Sequence, residues 1–269
     1  MRATCPYRAA TVRSGHYPGL LALALLCCGC GKSVFEVPPP GPELHVAAAA
    51  NLATIFDSLA AAEYKATAVH LVPSFGSTAT LTTQIESGAP FDIFLAADTE
   101  HPQSLTAKGL AEPPQEYARG KLVIWAPKRP DIRTLADLLR PDVKIVAVAN
   151  PDLAPYGHAA MEALTKAGIS EKVRPKIVFG QNISATLSYA NSGNADVALT
   201  AYSLVAAQHA DAPLVPDDLY TPIVQSLCIL SRTSQRKAAG KCVDFLLGPE
   251  AGAIFMKNGY TVPLGKKRM

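Results

Sequence analysis

From Leu44 onward the sequence alternates short apolar runs with segments of helical periodicity, and this pattern constrains the fold most. Leu44–Ala48 reads as a short buried strand, after which Leu52, Ile55, Phe56, Leu59 and Ala60 recur at helical spacing. Ala68–Phe75 is β-rich and Thr78–Ser87 predicts a helix; Asp92–Ala96 is a strand followed by a helix around Pro102–Lys108. Leu122–Ala126 and Lys144–Ala149 read as strands, and His158–Ala167 as a helix with Met161 and Leu164 on one face. Ile177–Phe179, Ala185–Asn191, Ala195–Leu199 and Tyr202–His209 continue the alternation. A late strand, Val224–Leu230, precedes helices over Lys237–Leu247 and Glu250–Asn258, which Gly248-Pro249 separates. Repeated strand–helix units imply an α/β fold, with helices on both faces of largely parallel sheets. Ligands of such folds bind at the carboxyl ends of strands, where helices begin. The chain shows no repeat of the 20–50-residue kind that marks a solenoid. Its 269 residues allow about two domains, and 49% hydrophobic content supports a real core.

Residues 1–30 have a different character. Arg2, Arg8 and Arg13 precede the apolar stretch Leu20–Cys28, with no acidic residue among them. This is the layout of a secretory signal. Its end, Leu26-Cys27-Cys28-Gly29-Cys30, resembles a bacterial lipobox. Gly29 before Cys30 selects Cys30 as the lipidated residue; Cys28 stays open as the alternative, because Cys27 stands where a lipobox usually has Leu. Residues 31–42 hold Pro38, Pro39, Pro40 and Pro42 and read as an extended tether. Gly31-Lys32-Ser33 is not a phosphate-binding loop, since the pattern requires glycine where Leu26 stands. No apolar run reaches the roughly 18–20 residues of a membrane-spanning helix.

Once the three arginines of the signal are set aside, 22 basic residues face 22 acidic ones. That balance argues against nucleic acid as a partner. Cys228 and Cys242 are the only cysteines of the body, and both are expected to face the core. A disulfide between them and a pair of buried thiols are both open readings. The body contains no Gly-x-Ser-x-Gly elbow, His-Glu-x-x-His motif or dinucleotide fingerprint. His45, His70, His101, His158 and His209 are scattered. Nothing here points to an enzyme, a resident metal or a cofactor.

Two strand-to-helix turns stand out instead. Ala47-Ala48-Ala49-Ala50-Asn51 opens the first helix, and Phe75-Gly76-Ser77-Thr78-Ala79-Thr80 the second. Small residues let a ligand approach the backbone. Helix N-termini offer unpaired N–H groups and a positive dipole end, which suits a small anion.

These turns belong to five ordered blocks that are similar to the molybdate-binding proteins of ABC transporters. The first is Val46–Leu52. The second is Ser74–Leu81 with Gln84–Asp92, the third Asn150–Gly157 with its following helix, and the fourth Gly180–Ser184. The fifth is Phe245–Glu250 with Ile254-Phe255 and Gly259-Tyr260. The resemblance implies a two-lobe periplasmic-binding-protein fold of type II, crossed twice by the chain, near Ala126 and near Val224. One lobe would comprise residues 43–126 with 225–269, the other 127–224. It implies a monomeric solute-binding component on the periplasmic or extracytoplasmic face of the membrane that delivers its ligand to an ABC permease of the inner membrane; the lipobox-like segment adds a lipid anchor, a plain cleaved signal being the alternative. The molybdenum would be bound as its oxyanion, with no direct protein ligand to the metal.

Carried onto this sequence, the oxyanion contacts fall at Asn51 with the backbone near Ala50, and at Thr78 with Ser77 capping the same turn. Further contacts fall at Tyr156 through its backbone N–H and its hydroxyl, and at the backbone N–H of Ile183. A fifth contact made by some members aligns with Ala201, with Tyr202 one residue off and so on the other strand face. Neutral donors suffice for a dianion, because hydrogen bonds to charged groups are worth about 1.5–3 kcal/mol each. Hydrogen phosphate would bring a proton with no acceptor. Sulfate or thiosulfate, the alternative ligands, would have to be rejected by size, and tungstate would bind much like molybdate.

Overall fold

The computed structural model describes residues 41–263; the signal, the lipobox cysteines Cys28 and Cys30, and most of the proline-rich tether lie outside them. Two mixed sheets organise the chain. The first has the order β2 (His70–Gly76), β1 (Glu43–Ala49), β3 (Ile93–Leu95), β9 (Ile223–Ile229), β4 (Gln115–Gly120). The second has the order β5 (Leu122–Trp125), β8 (Val197–Ala201), β6 (Val146–Ala149), β7 (Ile177–Gly180). The helices are α1 (Phe56–Thr67), α2 (Thr78–Glu86), α3 (Glu100–Ala107), α4 (Pro155–Lys166), α5 (Ser170–Val173), α6 (Ile183–Ser192), α7 (Arg236–Leu246) and α8 (Pro249–Lys257). None of them is long and apolar enough to cross a membrane.

The parallel expectation needs a correction. β1 runs parallel to β2 and β3, and β6 runs parallel to β7 and β8. However, β9 is antiparallel to both β3 and β4, and β5 is antiparallel to β8. The antiparallel strands flank the places where the chain changes sheet. It leaves the first sheet at Gly120 and enters the second at Leu122, ahead of the expected place near Ala126, because Leu122–Trp125 pairs with Ala198–Ala201. It is back in the first sheet at Ile223, beside the expected Val224. Strand β4 was not foreseen. It is a polar edge strand in which only Tyr117 and Ala118 are buried, so it lacks the apolar run that marks a strand. Tyr202–His209 forms only a short 3₁₀ turn, Tyr202–Leu204, followed by turns rather than a helix.

Strand alternation splits the core of the first sheet in two. In β9, Leu227 and Ile229 face α1, α7 and α8, while Cys228 faces the other way, toward Leu81, Ile85 and Leu105. Cys242, on α7, packs with Leu227 and Phe255 on the first face. Cys228 and Cys242 are therefore free thiols buried on opposite sides of the sheet. This overturns the disulfide reading and leaves the two buried thiols. The second sheet is covered on both faces: the central strands β8 and β6, and the edge strand β5 as well, are buried along their whole length.

Candidate functional site

Strands β1, β2, β3, β6 and β7 end at one cleft, where the segments that follow them begin. Its lining comes from Ala49, Ala50 and Asn51 after β1; Gly76, Ser77 and Thr78 after β2; and Ala97 after β3. Ala154, Pro155 and Tyr156 contribute after β6, and Ile183 after β7. The cleft leaves about 10 Å³ of free space, about the room that one water-sized group needs and far too little for an organic ligand of drug size. No lining residue carries a charge.

The local sequence explains the convergence. Ser77 is the N-cap of α2, its hydroxyl accepting from the Thr80 N–H at 3.4 Å and donating to Thr80 Oγ1 at 2.6 Å. Asn182 caps α6 in the same way, its Oδ1 accepting from the Ala185 N–H at 2.9 Å. Pro155 occupies the first turn of α4, where its missing N–H costs nothing. In each case the first-turn N–H groups, those of Thr78, Tyr156 and Ile183, lie where a helix supplies no partner. Gly157 lets α4 start directly on β6: a Cβ there would stand 2.1 Å from the Ala149 carbonyl oxygen.

Of the residues expected from sequence, Asn51, Thr78, Tyr156, Ile183, Ala50 and Ser77 all line the cleft. Ala201 does not. It lies in β8, fully buried and paired with Leu122, and Tyr202 directs its hydroxyl to the Ala210 carbonyl. Thr78 is well placed as a donor. Its Oγ1 accepts the Ala97 N–H at 3.1 Å, which turns its own proton elsewhere.

Two side chains are used differently from expectation. The Tyr156 hydroxyl does not face the cleft; it accepts from Gln225 Nε2 at 3.0 Å. The Asn51 amide nitrogen donates to Gln225 Oε1 at 2.9 Å and to the Tyr260 hydroxyl at 2.8 Å. Asn51 Oδ1, by contrast, is buried and without a partner. Behind the cleft these residues form a polar knot with Tyr117, whose hydroxyl donates to Gln225 Oε1 at 2.8 Å, and with Ser203, whose hydroxyl donates to the Asn51 carbonyl at 3.0 Å. Every member is buried. Burial pushes the phenols of Tyr117, Tyr156 and Tyr260 up, so all three are neutral at physiological pH. Gly120 makes room for the knot, since a Cβ there would collide with the Tyr156 hydroxyl.

The knot ties elements of one sheet to elements of the other, and so do shorter bridges at the rim. Ser184 Oγ donates to the Ala50 carbonyl at 2.9 Å, and Thr54 Oγ1 to the Ser203 carbonyl at 3.0 Å. The Ala79 N–H donates to the Leu153 carbonyl at 3.1 Å. Sequence reasoning missed Gln225, Tyr117 and Ser203, and gave Tyr260 no role. A signal existed: Gln225-Ser226 interrupts an otherwise apolar strand, and both are fully buried. A buried polar pair in a central strand requires partners. Among the described residues, no group of three His, Cys, Asp or Glu stands close enough to hold a metal ion.

The chain is 37% identical over 83% of its length to the molybdate-binding protein ModA of Rhodobacter capsulatus, of which it covers 90%. It is 34% identical over 89% of its length to ModA of Azotobacter vinelandii, covering 98% of that protein. The solved structure of the Azotobacter vinelandii periplasmic molybdate-binding protein superposes with a TM-score of 0.78 at 32% identity, covering 82% of this chain and 99% of the other. The sequence profile of the bacterial extracellular solute-binding proteins matches residues 44–261, and the chain belongs to that family.

Proposed function

We propose that this protein is the extracytoplasmic molybdate-binding component of an ABC importer, accepting tungstate as well and passing its ligand to the permease. The observation that carries the reading is the convergence of three helix N-termini and the Ala50–Leu52 turn on a small cleft without charge. Each helix end presents roughly half a positive charge and free N–H groups, so a dianion needs no lysine or arginine. The donors proposed are the backbone N–H groups near Ala50 and of Thr78, Tyr156 and Ile183, the Thr78 hydroxyl and the Asn51 side chain. The first crossing of the chain divides the fold into two lobes that close on the ion. A lipid on Cys30 would hold the protein at the membrane as a monomer, the Pro-rich segment serving as tether.

Selectivity follows from the same donor set. A cleft without a carboxylate, and with the Asn51 amide turned so that its nitrogen faces the ion, offers no acceptor to the proton of hydrogen phosphate, which costs roughly 1–3 kcal/mol when left unpaired. Sulfate carries no such proton, and a cleft set for a larger tetrahedron would stretch its bonds. Thermal unfolding with molybdate, tungstate, sulfate, thiosulfate and phosphate tests the reading. A ligand that binds only the folded state adds about 4 kcal/mol at a thousandfold excess over Kd. Stabilisation by molybdate and tungstate alone supports the proposal. Stabilisation by sulfate or thiosulfate instead would keep the site and change the ligand, and no shift with any oxyanion would refute both.

A further inference from the structure

The polar knot leaves one atom unpaired, and that atom belongs to a residue lining the cleft. Asn51 is 1% exposed, and its Oδ1 has no partner. Such an acceptor beside a dianion would repel it. The knot has a second hydrogen-bond ordering, obtained by turning the Asn51 and Gln225 amides over together. In the ordering described above, Gln225 Oε1 accepts from Asn51 and Tyr117, and Gln225 Nε2 donates to Tyr156. In the reversed ordering Gln225 Nε2 donates both to Asn51 Oδ1 and to the Tyr117 hydroxyl. The Tyr117 proton then goes to the Ala96 carbonyl, already 3.1 Å away. The Tyr156 hydroxyl donates to Gln225 Oε1. The Tyr260 hydroxyl, 2.8 Å from the turned amide, donates to Asn51 Oδ1 and gives up its bond to the Asn51 carbonyl, which keeps the Ser203 hydroxyl at 3.0 Å. The other hydroxyls can serve as donor or acceptor, so the reversal costs the Tyr260–Asn51 carbonyl bond and in return places Asn51 Nδ2, a donor, where Oδ1 stood, a change that a dianion in the cleft would favour.

We infer that Gln225 is a specificity-determining, positioning residue that never touches the ligand. It locks the Asn51 amide in one of two orientations, presenting a donor to a fully deprotonated oxyanion or an acceptor to a protonated one. The inference rests on the proposed oxyanion site and deepens it. Gln225 suits the task because its amide offers one donor end and one acceptor end between two neutral tyrosines. Tyr156 comes from the second sheet's side of the cleft, while Gln225, Tyr117 and Tyr260 belong to the first. The ordering is thus shared across the cleft.

The test is a double-substitution cycle read by calorimetric titration with molybdate. Gln225→Met keeps the length of the side chain and removes both hydrogen-bonding ends. In the Asn51 background it is expected to weaken binding by about tenfold or more, the loss of one hydrogen bond to a charged group. In an Asn51→Ser background, whatever that variant's own affinity, adding Gln225→Met is expected to cost less than about threefold, because a serine hydroxyl rotates and needs no neighbour to orient it. Equal losses in the two backgrounds, or no loss in the first, would overturn the inference while leaving the site intact. Absence of molybdate binding by the unaltered protein would overturn the functional reading and this inference together. Should Gln225→Met fail to fold, side-chain ¹⁵N spectra of the unaltered protein decide. Molybdate is expected to shift the NH₂ resonances of both Asn51 and Gln225, and an unmoved Gln225 would refute the coupling.

Discussion

Thr78→Val separates binding from folding at a single atom. The replacement keeps the shape of the side chain and removes its hydroxyl. Thr78 is 1% exposed, and its oxygen accepts the Ala97 N–H at 3.1 Å. Two losses follow. The anion loses a donor, at about 1.5–3 kcal/mol, or roughly 10–150-fold in Kd. Independently of any ligand, the Ala97 N–H is left buried without its partner, which costs roughly 1–3 kcal/mol. For a domain of about 150–250 residues each kcal/mol lowers Tm by about 2–4 °C. Titration calorimetry with molybdate and ligand-free thermal unfolding read the two effects separately. Thr78→Ser retains donor and acceptor, so it is expected to bind within about threefold of the unaltered protein and to melt close to it. If Thr78→Val bound molybdate as tightly as Thr78→Ser, the hydroxyl would not be a ligand and the assignment would fall. If its ligand-free Tm were unchanged, the Ala97 bond would not be what leaves the Thr78 proton free for an anion.

Three further expectations follow from the structure. Gly157→Ala would set a Cβ 2.1 Å from the Ala149 carbonyl oxygen, so α4 must shift; a loss of about 1–3 kcal/mol in urea unfolding and weaker molybdate binding are expected, and an unchanged midpoint would refute the close approach. Glu63 is fully buried with Oε2 unpaired, and burial raises its pKa above the ordinary 4.5. Its charge therefore opposes folding at pH above the raised value, and the penalty vanishes as pH falls below 4.5. The stability of Glu63→Gln relative to the unaltered protein should accordingly grow from pH 4 to pH 8, and a flat difference would show that Glu63 is not held against its charge. Burial pushes the Cys228 thiol to about 12 and the Cys242 thiol well above its usual value. Neither should react with a thiol reagent at pH 8 until the protein is unfolded; both should then do so without reductant, and peptide mapping that found them linked would contradict the structure.

What the sequence disclosed and what it hid have physical causes. Helices α2, α4 and α6 were legible because each follows an apolar strand and starts at a capping residue or proline, Ser77, Pro155 and Asn182; α4 and α6 begin ahead of the expected His158 and Ala185, and the short α5, which has no side-chain cap, was hidden. The turns after β1 and β2 marked the cleft through their small polar residues, whereas Tyr156 and Ile183 were reached through the family resemblance. Strand β4 was hidden because an edge strand need bury only one or two side chains, here Tyr117 and Ala118. The facing of Cys228 and Cys242 was hidden because core-facing says nothing about which of two cores. The direction of the Tyr156 and Asn51 side chains was hidden for a related reason. Each is set by Gln225, which is 69 residues from Tyr156 and 174 from Asn51, and no local rule carries such a pairing.

Separating N–H groups from side-chain donors clarifies how a neutral cleft could tell anions apart. The backbone donors of Thr78, Tyr156 and Ile183 are fixed by helices packed on their own sheets, and they would accept any small anion of suitable size. Side-chain groups add the discrimination, and each is committed from behind: the Thr78 oxygen by the Ala97 N–H, the Asn51 amide by Gln225 and Tyr260. A committed hydroxyl or amide would present one polarity to the cleft in each ordering of the knot. In a cleft without charge, that commitment decides whether a proton on the anion is tolerated. The size of the anion would then be judged by helix ends held from two different sheets, which the bridges Ser184–Ala50, Thr54–Ser203 and Ala79–Leu153 tie together. On this reading protonation state and radius are sensed by different atoms, so a substitution at Gln225 should alter the first preference without altering the second.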